Sequence, residues 1–272
     1  MHAVKMHGAG NSFILTENLH GELQGEDLSG LALRLCAKSK TDGMIVIVPA
    51  ARDEADFGML FYNADGSLGE MCGNGARCIA RYGVEHGLAP DPQHIRVLAT
   101  AGLVTARQIT REQYEVRLND PSIVVPHRPA EALGAVYDCA YVELGNPGIP
   151  HAVVETPAAN FDDQDALRER GRALRRSPAF PKGANVSFVC RTGEERVRAI
   201  TFERGVEDFT LACGTGCGSI ATSLALRGCL PGDRLEIDMP GGQLSVRFRC
   251  ENGRVSDLLL TGPTAVVGEF SF

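Results

Sequence analysis

Two four-residue stretches pair a thiol with glycines: Cys72-Gly73-Asn74-Gly75 and Cys213-Gly214-Thr215-Gly216. A cysteine placed just before a helix lies at the positive end of the helix dipole, where its thiol is expected to lose a proton more readily. Glycines let backbone N–H groups approach a ligand closely, and the first-turn N–H groups of a helix have no intrahelical acceptor. Such a terminus takes a carboxylate or phosphate. Two of them aimed at one carboxylate would leave a sulfur on each face of the adjoining carbon. That suits inversion at the α-carbon of an amino acid. One thiolate removes the α-proton, the opposite thiol delivers another, and the two sets of N–H groups stabilise charge moving onto the carboxylate. The reaction needs no cofactor: neither pyridoxal phosphate nor a metal ion.

The elements that must position these stretches are themselves repeated. The two motifs are 141 positions apart, and at the same offset Phe61 matches Phe202, Ile79 matches Ile220, Ala80 matches Ala221 and Gly87 matches Gly228. In each copy an apolar strand-like run comes first, at 57–62 and 199–202, then a polar loop, the motif, and a helical pattern. Ala76, Ile79, Ala80 and Gly83, like Cys217, Ile220, Ala221 and Leu224, fall at i, i+3, i+4, i+7, one face of a helix. Gly87 and Gly228 stand where the helices should stop.

Bulk properties narrow the class. The 272 residues suit one large domain or two of medium size, and 44% hydrophobic content supports a real core. A net charge of −7 with no basic run argues against nucleic acid as a partner. The opening Met1-His2-Ala3-Val4-Lys5 has no signal-peptide character, and the longest apolar run, 44–51, is too short to cross a bilayer, so a cytoplasmic protein with no membrane partner is expected. Nine cysteines is an odd number for a disulfide framework and fits thiols kept reduced.

In chain order, strands are expected at 4–7, 12–16, 44–48, 57–62, 95–98, 103–109 and 114–118 in the first half. The second half has them at 137–144, 152–155, 185–190, 196–202, 235–239, 243–249 and 255–261. Besides the motif helices, 27–37 reads as a helix with Leu28, Leu31, Ala32 and Leu35 on one face, and 162–175 as a charged amphipathic one. Turns are read at Asn63-Ala64-Asp65-Gly66 and from Gly145 to His151. Asn119-Asp120-Pro121 is the expected boundary, giving domains 1–118 and 119–262, with 263–272 crossing back to the first. The reading is an α+β fold of two pseudo-symmetric domains, each a mixed or antiparallel sheet wrapped around a central helix.

Plainer readings compete. A single Cys-Gly-x-Gly is usually a turn with a buried thiol, but a pair with matching flanks is hard to reach by accident. Neither is a P-loop, since no Gly-Lys-Ser/Thr follows. Cys72, Cys78, Cys213 and Cys217 could be drawn as a zinc site, but neither pair has zinc-ribbon spacing. Cys36, Cys139, Cys190, Cys229 and Cys250 read as ordinary thiols. His151 alone would be a structural histidine, and Glu203-Arg204 a surface ion pair at a strand end.

These residues resemble a known family. Asn63-Ala64-Asp65-Gly66-Ser67 with Glu70-Met71-Cys72-Gly73-Asn74-Gly75-Ala76-Arg77-Cys78 is similar to diaminopimelate epimerase. So are Glu203-Arg204-Gly205 with Ala212-Cys213-Gly214-Thr215-Gly216, the opening from Met6 to Phe13, and the closing Leu260-Thr261-Gly262-Pro263. The resemblance spans essentially the whole chain. It implies a two-domain fold with the site in the interdomain cleft, a small amino-acid substrate, and a homodimer. By position it implies Cys72 and Cys213 as the acid/base pair, with His151 and Glu203 as polar partners of the thiols. Gly73, Asn74, Gly214 and Thr215 would surround the reacting carboxylate, and Asn11, Asn63, Asn185 and Arg204 would grip the substrate. Arg204 is suited to a distal carboxylate by bidentate pairing.

The chain departs from the family pattern in places. The family often has Gly-Asn-Pro-His before the strand that begins here near Ala152. Aligned on Pro150-His151, Ile149 replaces the asparagine; aligned on Gly145-Asn146-Pro147, the histidine falls later. The first alignment is preferred because the histidine and the following strand set the register. Ser12 replaces a frequent aspartate, and Phe209 falls where a glutamate is common. The leading expectation is epimerisation of LL- to meso-diaminopimelate, in lysine and cell-wall precursor synthesis. A racemase of another amino acid such as histidine is the alternative, and a non-catalytic small-anion binder the weaker one. Two opposed thiols argue against mere binding.

Overall fold

The computed structural model describes residues 1–50, 54–69 and 72–272. Ala51 of the longest apolar run, and Glu70 and Met71 of the first cysteine signature, lie outside the described residues. The first elements are β1 (His2–Gly8), β2 (Asn11–Glu17), α1 (Leu28–Ser39), β3 (Gly43–Val48), β4 (Phe57–Asn63), β5 (Leu68–Gly69) and α2 (Gly73–Glu85). Three strands follow: β6 (Ile95–Ala99), β7 (Gly102–Gln108) and β8 (Gln113–Arg117). Then come β9 (Pro121–Ala132), β10 (Ala135–Leu144), β11 (Ile149–Glu155), α3 (Ala158–Phe161), α4 (Gln164–Arg175), β12 (Asn185–Arg191), β13 (Arg196–Phe202) and β14 (Phe209–Thr210). The chain closes with α5 (Gly214–Leu226), β15 (Arg234–Met239), β16 (Gly242–Glu251), β17 (Arg254–Pro263) and β18 (Ala265–Ser271). It divides into two compact units, Met1–Arg117 with Thr261–Phe272, and Leu118–Leu260.

In the first unit β1 pairs antiparallel with both β2 and β18. β2 runs parallel to β3, a connection that needs a crossover, and α1 supplies it. Its apolar face buries Leu31, Ala32, Leu35 and Cys36 among Ile14, Met44 and Val46. β4 is antiparallel to β3 and parallel to β6, with α2 as the second crossover. Gly8 closes β1 against α2: a Cβ there would lie 2.8 Å from the Asn74 carbonyl oxygen.

The second unit repeats this plan. β10 is antiparallel to β11, β11 parallel to β12 across α3 and α4, β12 antiparallel to β13, and β13 parallel to β15 across α5. Its core joins Phe180, Phe188 and Phe202 to Leu167 and Leu174 of α4. Phe209 packs edge-on against Phe188 and Phe202. The α+β architecture read from the sequence is therefore the architecture of the molecule, a mixed sheet around a central helix in each unit.

Three readings need correction. First, α2 and α5 are buried almost all round rather than on one face: Gly73 to Gly83 all lie inside, as do Gly216 to Leu224. Small residues allow it, and a Cβ on Gly83 would lie 2.5 Å from the Phe57 ring. Both helices end as expected, with Gly87 at φ 72° and Gly228 at φ 67°, a backbone that favours glycine. Second, β9 falls where the sequence reading has no strand, and it carries three prolines, which a sheet takes only at edges, strand starts or bulges. Pro126 is accommodated at a bulge, where Pro126 and His127 face the single residue Ala140. Third, the turn after Gly145 is shorter than read, since Ile149, Pro150 and His151 already belong to β11.

Candidate active site

In the first unit, Cys72 is the N-cap of α2, with extended backbone, and its carbonyl accepts the Ala76 N–H at 2.7 Å. The N–H groups of Gly73, Asn74 and Gly75 form the first turn, which has no acceptor within the helix. Asn74 is buried, and its Nδ2 donates to Asn11 Oδ1 at 2.9 Å. Arg77, wholly buried, donates through Nη2 to Asn74 Oδ1 (2.8 Å) and through Nη1 to the Gly73 carbonyl (3.3 Å). Arg77 thus orients the Asn74 amide from inside the helix. Sequence reading gave Arg77 no role, although an arginine inside a helix of glycine and alanine was a usable signal. Asn63 belongs to its own turn, where Nδ2 donates to Ser67 Oγ at 2.9 Å. Cys78 is buried, and burial pushes its thiol up to about 12.

In the second unit, Cys213 is the N-cap of α5, again extended, and its carbonyl accepts the Cys217 N–H at 3.0 Å. Its Sγ accepts the Gly216 N–H at 3.4 Å and lies 3.7 Å from Thr215 Oγ1. That hydroxyl is 3.0 Å from His151 Nε2. Asn185 Nδ2 is 3.4 Å from the same ring nitrogen, while Asn185 Oδ1 accepts the Arg204 N–H at 2.7 Å. Because the Asn185 oxygen is engaged by Arg204, its amide nitrogen faces the ring, and Nε2 is the acceptor. The ring proton then sits on Nδ1, which is buried and has no partner among the described residues. Burial, with the Arg204 charge in support, lowers His151 to about 3 and keeps it neutral.

The expected acidification of the thiol is reversed at Cys213. Burial pushes its pKa well above the ordinary thiol range, and the Glu203 carboxylate adds to that. The Thr215 hydroxyl and the Gly216 N–H act in the opposite direction but are smaller. Desolvation outweighs the helix terminus, so Cys213 is held as a thiol. Glu203 Oε1 accepts from Thr210 Oγ1 at 2.5 Å. Arg204 is exposed, and its Nη1 donates to the Lys182 carbonyl at 3.0 Å. Among the described residues its guanidinium meets no carboxylate, so the surface ion pair with Glu203 is not formed.

The structure thus gathers Cys213, Gly214, Thr215, His151, Asn185, Glu203 and Arg204 in one unit, and Cys72, Gly73, Asn74 and Asn11 in the other, with Asn63 at a separate turn. No group of three His, Cys, Asp or Glu side chains among the described residues is placed to hold a metal ion, and none of the described helices is long and apolar enough to cross a membrane.

Comparison with known proteins gives the family. The family model for diaminopimelate epimerase matches residues 3–124 and 144–267. A diaminopimelate epimerase of Hydrogenobaculum is 34% identical, covering 97% of this chain and 96% of its own length. One from Methanothrix thermoacetophila is 36% identical, covering 97% and 93%. Among solved structures, a phenazine biosynthesis protein of the PhzF family from Bacillus anthracis aligns with a TM-score of 0.75 at 13% identity, covering 99% of this chain and 98% of that one. A hydroxyproline epimerase from Agrobacterium vitis, solved with bound trans-4-hydroxy-L-proline, aligns at 0.66 and 20% identity, covering 99% and 91%. At these identities the two structures share the fold.

Proposed function

The chain belongs to the diaminopimelate epimerase family, and from that premise we propose that it interconverts LL- and meso-diaminopimelate by a two-base reaction at Cys72 and Cys213. The observation that carries the reading is the repeat: in each unit a cysteine caps a buried, glycine-rich helix. The first-turn N–H groups of Gly73 and Asn74, and of Gly214 and Thr215, take the α-carboxylate and the charge that develops on it.

In one direction the Cys72 thiolate accepts the α-proton, so that a C–H bond becomes an S–H bond. The Cys213 thiol delivers its proton to the opposite face of the same carbon. The reverse reaction exchanges the two roles, and no oxidant or reductant is consumed. Cys213 suits the donor's part because it is held protonated. After delivery, its thiolate is met by the Gly216 N–H, while the Thr215 hydroxyl, which gives its own proton to His151 Nε2, accepts the S–H of the protonated form. Neutral His151, steadied by Asn185, sets the direction of that hydroxyl. Glu203 keeps negative potential beside the sulfur and so favours the protonated form. Asn11, Asn63, Asn185 and Arg204 hold the rest of the substrate, with Arg204 on the distal carboxylate.

The same proposal includes domains 1–118 with 263–272 and 119–262, and a cytoplasmic homodimer serving lysine and cell-wall precursor synthesis. One feature favours a second reading, racemisation of a monocarboxylic amino acid such as histidine: Ile149, partly buried at the start of β11, replaces a polar residue expected near the distal end. The test is incubation with meso-diaminopimelate and with L-histidine in deuterated water. Turnover of diaminopimelate with one α-deuterium in the epimerised product is expected. Preference for histidine would overturn the substrate, and no exchange with either would overturn the reaction.

A further inference from the structure

Arg204 stands exposed with its guanidinium turned to no carboxylate among the described residues, and a long, mobile side chain of that kind reads a ligand poorly unless something fixes it. Its Nη1 is fixed by the carbonyl of Lys182 (3.0 Å). Lys182 lies in the irregular segment between α4 and β12, which has no ladder of its own. Two contacts hold that segment to β10. The Phe180 ring stacks on Tyr141 with centroids 5.6 Å apart and planes 8° from parallel. The Lys182 ammonium lies 3.2 and 3.0 Å from the two oxygens of Glu143.

Glu143 is an unusual anchor for a surface lysine. It is 3% exposed, accepts the Tyr141 hydroxyl at 2.5 Å, and is closed over so tightly that a Cβ on Gly148 would lie 2.6 Å from its Oε2. A buried carboxylate is retained only where its partners satisfy it. Here those partners tie β10 to the Lys182 carbonyl that holds the Arg204 guanidinium.

We propose that Glu143, through Tyr141 and Lys182, is a positioning unit that sets the Arg204 guanidinium for the distal carboxylate of the substrate. This rests on the epimerase reading above. None of the three touches the reacting carbon; they act on how well the far end of the substrate is held.

The test is a double-mutant cycle on the full-length protein. Glu143→Gln and Lys182→Met are made singly and in the Arg204→Lys background, and meso-diaminopimelate epimerisation is followed by deuterium incorporation over hours, so that slow variants are still measured. Each single variant should raise KM about tenfold while kcat stays within about twofold, and neither should add to the loss already present in Arg204→Lys. A merely structural role predicts additive losses and a fall in kcat instead. Lys182→Met is included because that side chain is largely exposed and its loss should not threaten folding. Turnover by the wild type with KM unchanged in both variants, or additive losses, would overturn the proposal alone. No turnover by the wild type would overturn the epimerase reading and the proposal with it.

Discussion

The buried imidazole of His151 meets the hydroxyl of Thr215 at 3.0 Å through Nε2, while its other nitrogen, Nδ1, has no partner among the described residues. The same oxygen is 3.7 Å from Cys213 Sγ, so the hydroxyl is the link between thiol and imidazole. Thr215→Val removes the link and should lower kcat by roughly 10²-fold, as expected for losing one acid/base contact, whereas Thr215→Ser should stay within about threefold of wild type. Equal activity of the valine and serine variants, measured by steady-state epimerisation, would remove the hydroxyl from the mechanism.

Each cysteine should be required. Cys72→Ala and Cys213→Ala are each expected to abolish epimerisation while unfolding free energy changes by only about 1–3 kcal/mol, the range of ordinary substitutions. Full epimerisation by either alanine variant, with the fold checked by denaturant titration, would sink the two-base mechanism.

The elevated Cys213 pKa has a direct chemical readout. Alkylation proceeds through the thiolate. At pH 8 the exposed Cys250 should be modified by iodoacetamide well before Cys213, which burial and Glu203 keep protonated. Peptide mass mapping over time gives the order, and early labelling of Cys213 would contradict the assignment.

His151 should make the protein acid-sensitive. Its folded-state value is about 3 against an ordinary 6.5, so the unfolded chain binds the extra proton between those limits. Stability contributed by the neutral ring is present above pH 6.5 and is lost as pH falls toward 3, with a slope of at most about 1.4 kcal/mol per pH unit. Urea unfolding of wild type and His151→Gln across pH 7 to 4 should show a shallower decline in the variant. Parallel curves would mean that the ring is not titrating as stated.

Gly8 tests how the first cysteine helix is seated. A methyl group there would lie 2.8 Å from the Asn74 carbonyl and 3.3 Å from Cys78 Sγ. Gly8→Ala should cost about 1–3 kcal/mol in stability, as overpacking does, and should also reduce activity because it displaces the turn that carries Asn74. A variant as stable and active as wild type would show that the contact yields without consequence.

What the sequence determined by itself was local and periodic. Leu28, Leu31, Ala32 and Leu35 mark α1 because helical spacing puts them on one face; three of the four are buried and Leu28 packs at the edge of the same cluster. Cys72 and Cys213 could be placed at helix starts because helical spacing begins directly after their glycine turns, and Gly87 and Gly228 just past helix ends because a left-handed C-terminal position selects glycine. Tertiary structure decided what depends on neighbours distant in sequence. β9 exists because a bulge opposite Ala140 accommodates Pro126. Arg77 is a buried clamp on Asn74 because strands enclose every side of α2. The protonation of Cys213 runs opposite to what its helix terminus implies, since desolvation is set by everything packed around the sulfur and no local motif carries it. Glu143 and Lys182, 39 positions apart, were silent for the same reason: only the folded sheet brings the carboxylate under the turn that holds Arg204.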